Sequence, residues 1–220
     1  MKPTRHNLRI RMLVMALFVA IASQAQDTGN TENEFASWYS FKLQKKLGAG
    51  WHLFINPEIR LNSLEVDKYL METGVKYKIN KYLNTTATYR FTADQKSDHI
   101  EYSHRMAFDV KGKTKFGNFE PELRLRYSTI TDFDEDPNNK YLRYKALVAY
   151  DIPKNRLTPY VAAEAFQELS DDGFTKMRYS LGADYKLKKN NYIGLSYKLD
   201  YYLHQYKNKH IIGINYKLKF

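Results

Sequence analysis

From Phe35 onward, apolar and polar positions alternate along the chain. Trp51, Leu53, Ile55, Pro57 and Ile59 are separated by His52, Phe54, Asn56, Glu58 and Arg60. Tyr69, Met71, Thr73, Val75, Tyr77 and Ile79 are set against Lys68, Leu70, Glu72, Gly74, Lys76 and Lys78. The same pattern places Phe119, Pro121, Leu123, Leu125 and Tyr127 opposite Glu120, Glu122, Arg124, Arg126 and Ser128. Successive side chains of a strand leave opposite faces, so a period of two reads as a strand with one apolar and one polar face. Eleven such segments are predicted, at 35–46, 51–62, 67–79, 82–93, 99–111, 117–130, 139–151, 156–168, 174–187, 191–203 and 208–220. Residues 161–169 (VAAEAFQEL) are rich in Ala and Glu and would also suit a short helix. The surrounding alternation and Pro159 favour a strand there.

These segments run to about 11 to 14 residues. Strands of globular proteins average about 5 or 6, whereas a tilted membrane-crossing strand needs about 9 to 11. The connections divide into two sets. Those at 47–50, 79–81, 112–117, 152–155 and 188–190 read as tight and basic, and those at 62–67, 93–98, 131–139, 169–173 and 204–208 as longer and mostly acidic. Short turns at one end and longer loops at the other are the signature of an outer-membrane barrel. The expected fold is therefore an all-β, antiparallel, up-and-down transmembrane β-barrel over 35–220. Eleven is an odd count, and bacterial single-chain barrels are even. The expectation is 12 strands, or failing that 10, with the discrepancy lying in a strand hidden within 27–34, in a split or merged segment, or in an N-terminal segment that threads the lumen.

Residues 1–25 have the layout of a secretory signal peptide. Lys2, Arg5, Arg9 and Arg11 precede the apolar run 12–22, and Ser23-Gln24-Ala25 is a small-x-small cleavage site. The run is too short to span a bilayer as a helix, which takes about 20 residues. Cleavage after Ala25 would leave a short segment, 26–34, ahead of the barrel. The chain has 220 residues, with 19 Tyr, 12 Phe and 2 Trp, too many aromatics for a solvated coil. It contains no Cys, which excludes disulfides, thiolate metal sites and thiol catalysis. Its formal net charge of +11 would suit a nucleic-acid binder. Export argues against that reading, so no nucleic-acid partner is expected. The expected surroundings are outer-membrane lipid and lipopolysaccharide, with the protein a monomer.

The last segment alternates up to a C-terminal aromatic, Phe220, with Tyr216 on the same face. This resembles the last-strand signal by which the barrel assembly machinery recognises its clients. Tyr216 and Phe220 are therefore the candidate assembly signal.

Several short runs carry a wider resemblance: Phe35-Ala36-Ser37-Trp38-Tyr39-Ser40, the Lys45-Lys46-Leu47 turn before Trp51, Pro57-Glu58-Ile59-Arg60-Leu61, and Glu101-Tyr102-Ser103-His104-Arg105. Glu122-Leu123-Arg124-Leu125-Arg126-Tyr127 and Pro159-Tyr160 leading to Glu164 and Phe166 extend it. With these the chain resembles the domain-of-unknown-function family 2490 over nearly its whole mature length. The resemblance implies a Gram-negative outer-membrane β-barrel and carries no catalytic residues.

Candidate chemistry is sparse. His52, His99, His104, His204 and His210 lack the spacing of a strand-borne metal site, so neither a metal nor another cofactor is expected. The acidic run Asp132-x-Asp134-Glu135-Asp136 lacks the ligand spacing of a calcium loop. Gly194-Leu195-Ser196-Tyr197-Lys198 is not a nucleophile elbow, and adjacent Ser103 and His104 point to opposite faces. The polar faces are more informative. Glu58, Arg60, Glu101, Arg105, Glu122, Arg124, Arg126 and Glu164 are expected to converge in the lumen as a mixed-sign network. Glu72, Arg90, Asp109, Arg143, Lys145, Arg178, Lys198 and Asp200 share those faces. A barrel of 10 to 12 strands is well short of the 16–18 that leave an open aqueous channel. The expected function is a non-enzymatic structural barrel or narrow polar channel with a charged, largely plugged lumen. The alternatives are a membrane-embedded hydrolase of lipase or deacylase type, which requires His104 or His204 to meet a Ser and a carboxylate, and a secreted lipocalin-like binder, which requires apolar faces turned inward.

Overall fold

A computed structural model describes residues 31–132, 139–170 and 173–220. The signal segment 1–25, the acidic side chains of 132–136 and the pair Asp171-Asp172 lie outside the described residues or side chains. The strands are β1 (Glu32–Gly48), β2 (Trp51–Asn62), β3 (Glu65–Lys78), β4 (Leu83–Gln95), β5 (Ile100–Lys113), β6 (Phe119–Asp132), β7 (Asn139–Tyr150), β8 (Leu157–Glu168), β9 (Gly173–Lys188), β10 (Asn191–Tyr202) and β11 (Lys207–Lys219). They close into one barrel in chain order. Residues 161–168 are strand, as the alternation predicts.

The expectation of 12 strands, or 10, is corrected to 11. Consecutive strands pair antiparallel all the way round. An odd strand number therefore makes β1 and β11 run in the same direction where they meet. The Phe220 amide donates to the Gln44 carbonyl at 2.9 Å, and the Lys46 amide donates to the Phe220 carbonyl at 2.8 Å. One residue bonding to the two neighbours of a single position on the other strand is the parallel pattern. Side chains follow the same register: Phe41 stacks on Tyr216 with ring centroids 5.3 Å apart, and Phe35 on His210 at 5.0 Å. The even-number rule fails because a parallel ladder also satisfies every backbone group, so parity is not a geometric requirement for closure.

The expected contrast in loop length is also corrected. The connections are 49–50, 79–82, 114–118, 151–156 and 189–190 at one end, and 63–64, 96–99, 133–138, 169–172 and 203–206 at the other. Glu65 and Val66, read from sequence as loop, belong to β3. The 63–64 turn has both central residues at positive φ, Ser63 at 48° and Leu64 at 76°. This handedness matches the twist of a two-residue hairpin. The ends still differ in charge. The end that holds Phe220 has Lys81, Lys115, Lys154, Arg156 and Lys189 in its connections.

Side-chain parity sets the radial order. Every strand turns large apolar residues outward: Tyr39, Ile55, Met71, Tyr89, Phe108, Leu125, Tyr144, Val161, Leu181, Leu195 and Ile212 are all exposed. The interior contains Asp200, Ser128, Glu164, Ser196, Asp109, Arg126, Glu72 and Thr88, all buried. This inverts the usual globular arrangement, in which charged groups are rarely buried. Inward glycines let aromatic side chains lie flat on the wall. A Cβ on Gly74 would come within 2.7 Å of the Phe54 ring, and one on Gly182 within 2.6 Å of Tyr160.

Candidate functional site: the charged lumen

Strand register brings opposite charges side by side in the interior. Glu72 faces Arg90 across β3 and β4, Asp109 faces Arg126 across β5 and β6, and Arg178 faces Asp200 across β9 and β10. Directly opposed cross-strand residues are within side-chain reach, so the register itself specifies these ion pairs. Arg126 grips Asp109 with two bonds, Nε to Oδ1 at 2.6 Å and Nη2 to Oδ2 at 2.7 Å. Arg178 Nη2 donates to Asp200 Oδ2 at 2.7 Å, and Lys176 Nζ lies 2.9 Å from the same oxygen. Arg90 donates to Glu72 Oε2 through Nη2 at 2.7 Å and Nε at 3.0 Å. Glu164 Oε1 accepts from Arg124 Nη2 at 2.7 Å and from Arg143 Nε at 2.9 Å. Bidentate and charge-assisted bonds of this kind are the strong ones, and they offset the cost of holding charges away from water.

Two inward aromatics organise the cations further. Arg60, Lys198 and Arg178 lie 3.9, 4.5 and 5.0 Å from the Trp38 ring centroid. Arg143, Lys176 and Arg178 lie 4.3, 4.4 and 5.2 Å from that of Phe166. Arg178 therefore joins a β1 indole to a β8 phenyl ring through the attraction of a cation for an aromatic face.

The residues singled out from the sequence occupy several levels of this interior. Glu58 accepts from Arg60 Nε at 2.6 Å on the same strand. Arg105 Nη2 lies 4.0 Å from Glu72 and has no hydrogen-bond partner among the described residues. Arg124 and Glu164 pair directly, and Arg126 pairs with Asp109. Glu122 lies 2.8 Å from Lys111 towards the end that holds Phe220. Glu101 sits at the opposite rim instead, 3.2 Å from Lys96, with its side chain 41% exposed. Lys96 also donates to Asp94 at 3.1 Å, and that hydrogen bond holds its ammonium above the usual lysine range. Lys68 pairs with Asp94, and Lys207 with Glu34, at the same rim.

Trp38, Lys42, Phe166 and Lys176 are among the interior residues that the sequence analysis did not assign to the lumen. The signal was available in their parity: Trp38 falls in phase with Ala36 and Ser40, and Lys176 with Arg178 and Ser180. His104 turns outward against Tyr89, with ring centroids 6.1 Å apart, while Ser103 shares the inward parity of Arg105. His204 Nε2 lies 3.1 Å from the Phe174 carbonyl oxygen. Among the described residues no group of three His, Cys, Asp or Glu side chains is placed to hold a metal ion.

Comparison of the sequence with known families gives a match over residues 35–212 to the model described as "Protein of unknown function (DUF2490)". The chain belongs to the DUF2490 family. Residues 35–212 of this DUF2490 chain run from the start of the Phe35-Ala36-Ser37-Trp38 run in β1 into β11. No curated protein matches it in sequence. Among solved structures it is similar to a KdgM porin, with a TM-score of 0.49 and 13% identity over 72% of this chain and 81% of that one. A NanC porin gives 0.48 and 12% identity over 74% and 85%. The outer-membrane-expressed OmpT of Vibrio cholerae gives 0.42 and 11% identity over 69% and 54%.

Proposed function

We propose that this DUF2490 chain is an outer-membrane β-barrel that forms a narrow polar channel, its midsection partly filled by paired charges. The observation that carries the proposal is the radial inversion: each strand exposes apolar residues outward and turns its charged residues inward. An Arg on the lipid face near the bilayer midplane costs about 2–4 kcal/mol, whereas an exposed belt of Leu, Ile, Tyr and Phe in water is an aggregation surface. Lipid outside and water inside satisfy both faces at once. The same inversion counts against a lipocalin-like binder, whose apolar faces would line its interior. No helix among the described residues is long and apolar enough to cross a membrane, so any crossing belongs to the strands.

Planar bilayers test this reading. Purified, folded protein should give discrete single-channel steps of small conductance. Arg124→Ala removes one donor to Glu164 from the interior. It should raise the step size, or, if pairing dominates, lower the melting temperature of the barrel. Absence of steps in both proteins, with recovery of the native chain as a soluble periplasmic species, would contradict the proposal.

A further inference from the structure

The two halves of the lumen differ in how their charges are matched. In the midsection arginines meet carboxylates at hydrogen-bond distance. Towards the end that holds Phe220 the inward cations are mostly lysines; Lys111 and Lys113 pair with Glu122 and Glu120, whereas Lys42 on β1, Lys76 on β3, and Lys217 and Lys219 on β11 do not. Among the described residues none of these four has a carboxylate within ion-pair distance. They are close enough to act on one another. Lys42 is within electrostatic reach of Lys76 and Lys217, Lys76 of Lys219, and Lys219 of Lys217.

The carboxylates facing this ring are committed elsewhere or stand off. Glu72 is taken by Arg90 at 2.7 Å, with Arg105 beside it. Glu122 is taken by Lys111 at 2.8 Å. Asp184 acts on Lys219 only from beyond ion-pair distance. Two of the four rest on aromatic rings. Lys42 Nζ sits 3.5 Å from the Phe54 ring centroid, and that ring has room only because Gly74 carries no side chain. Lys219 Nζ sits 4.5 Å from the Tyr192 ring centroid.

Like charges facing one passage, with their nearest carboxylates engaged or beyond ion-pair distance, are stabilised by an anion from outside the chain. We propose that Lys42, Lys76, Lys217 and Lys219 form a binding site for a small multivalent oxyanion, phosphate- or carboxylate-bearing, at the basic mouth of the lumen. Lysine suits this role: a mobile ammonium binds an anion as a point charge and does not impose a single geometry. The consequence for permeation, a preference for anions over cations, rests on the channel reading above. The binding site itself does not.

The test uses the full folded protein, wild type and a Lys42→Gln/Lys76→Gln/Lys217→Gln variant. Inorganic pyrophosphate and citrate are titrated into each by calorimetry in detergent, and reversal potential is measured under a potassium chloride gradient. Wild type should bind pyrophosphate and select chloride. Citrate binding as well assigns the site to oxyanions in general, and its absence assigns it to phosphates. Each lost charge-assisted contact is worth enough that the variant should bind at least about tenfold more weakly and lose its anion preference. Removing mutual repulsion should also leave the variant at least as heat-stable as wild type at low salt, which separates loss of the site from loss of the fold. Wild-type pyrophosphate affinity in the variant, or wild type that conducts without anion preference and binds neither ligand, overturns the site and leaves the channel standing. Pyrophosphate binding that is lost in the variant, in a protein that never conducts, sustains the site and overturns the channel.

Discussion

At the scale of single residues the interior is governed by a rule of pairs. Arg126 and Asp109 are 7% and 5% exposed and hold each other through two bonds. Removing one partner leaves the other buried and unpaired, which typically costs about 3–5 kcal/mol, while replacing both with apolar residues of similar volume is often neutral. Arg126→Met or Asp109→Leu alone should therefore lower barrel stability by about that amount, and the double variant should recover most of it. Denaturant melts of the four proteins in a thermodynamic cycle read this directly, and additive losses would show that the pair is not coupled. Leu64 illustrates the opposite situation. It is 89% exposed with φ at 76°. A side chain in this left-handed region costs roughly 1–2 kcal/mol. Ser63→Asn with Leu64→Gly supplies the residues that such a turn favours and should raise the melting temperature, whereas an unchanged or lower one would show that the turn is not strained.

At the scale of elements the strands and the barrel were legible, and the parallel direction of the closing seam was not. Residue types at period two mark all eleven strands and the inward position of Arg124, Arg126 and Glu164, because the inside and the outside of a barrel select opposite chemistry at alternate positions. The strands also extend past the predicted ends: Glu32 to Glu34 and Glu65 to Val66 are strand, although their position and polarity read as loop. In the proposed membrane setting a strand rim outside the bilayer needs no apolar face, so the signal fades before the strand does. The β1–β11 seam had no local signature, since its direction is a relation between the two ends of the chain. Specific partners inside the lumen, such as Arg124 on Glu164 two strands away, likewise depend on register and shear. The seam makes its own prediction. Tyr216 stacks on Phe41, and Phe220 makes two backbone bonds to β1 at the seam. Replacing Tyr216 and Phe220 with Ser should reduce the yield of folded, heat-modifiable barrel in the outer membrane. Replacing Phe41 with Ser should reproduce part of that loss if the stack matters for closure. Normal levels in the Tyr216/Phe220 variant would refute a role for either residue in assembly.

At the scale of the whole molecule everything argued for function depends on one proposed property: apolar side chains face lipid and charged side chains face the lumen. Leu123, Leu125 and Tyr127 alternate with Arg124 and Arg126 on one strand, so β6 alone can report it. The chain contains no cysteine, so one introduced thiol carries one spin label. The decisive measurement is the collision rate of labels at Leu123→Cys, Leu125→Cys and Ser128→Cys, in protein reconstituted into bilayers, with dissolved oxygen and with a water-soluble nickel complex. Labels at 123 and 125 should collide with oxygen and be shielded from nickel, as for a site in the acyl region, and the label at 128 should show the reverse or be shielded from both. Nickel access at 123 and 125 equal to that of a surface site, or oxygen access at 128 matching theirs, would contradict the membrane-spanning barrel with its charged lumen.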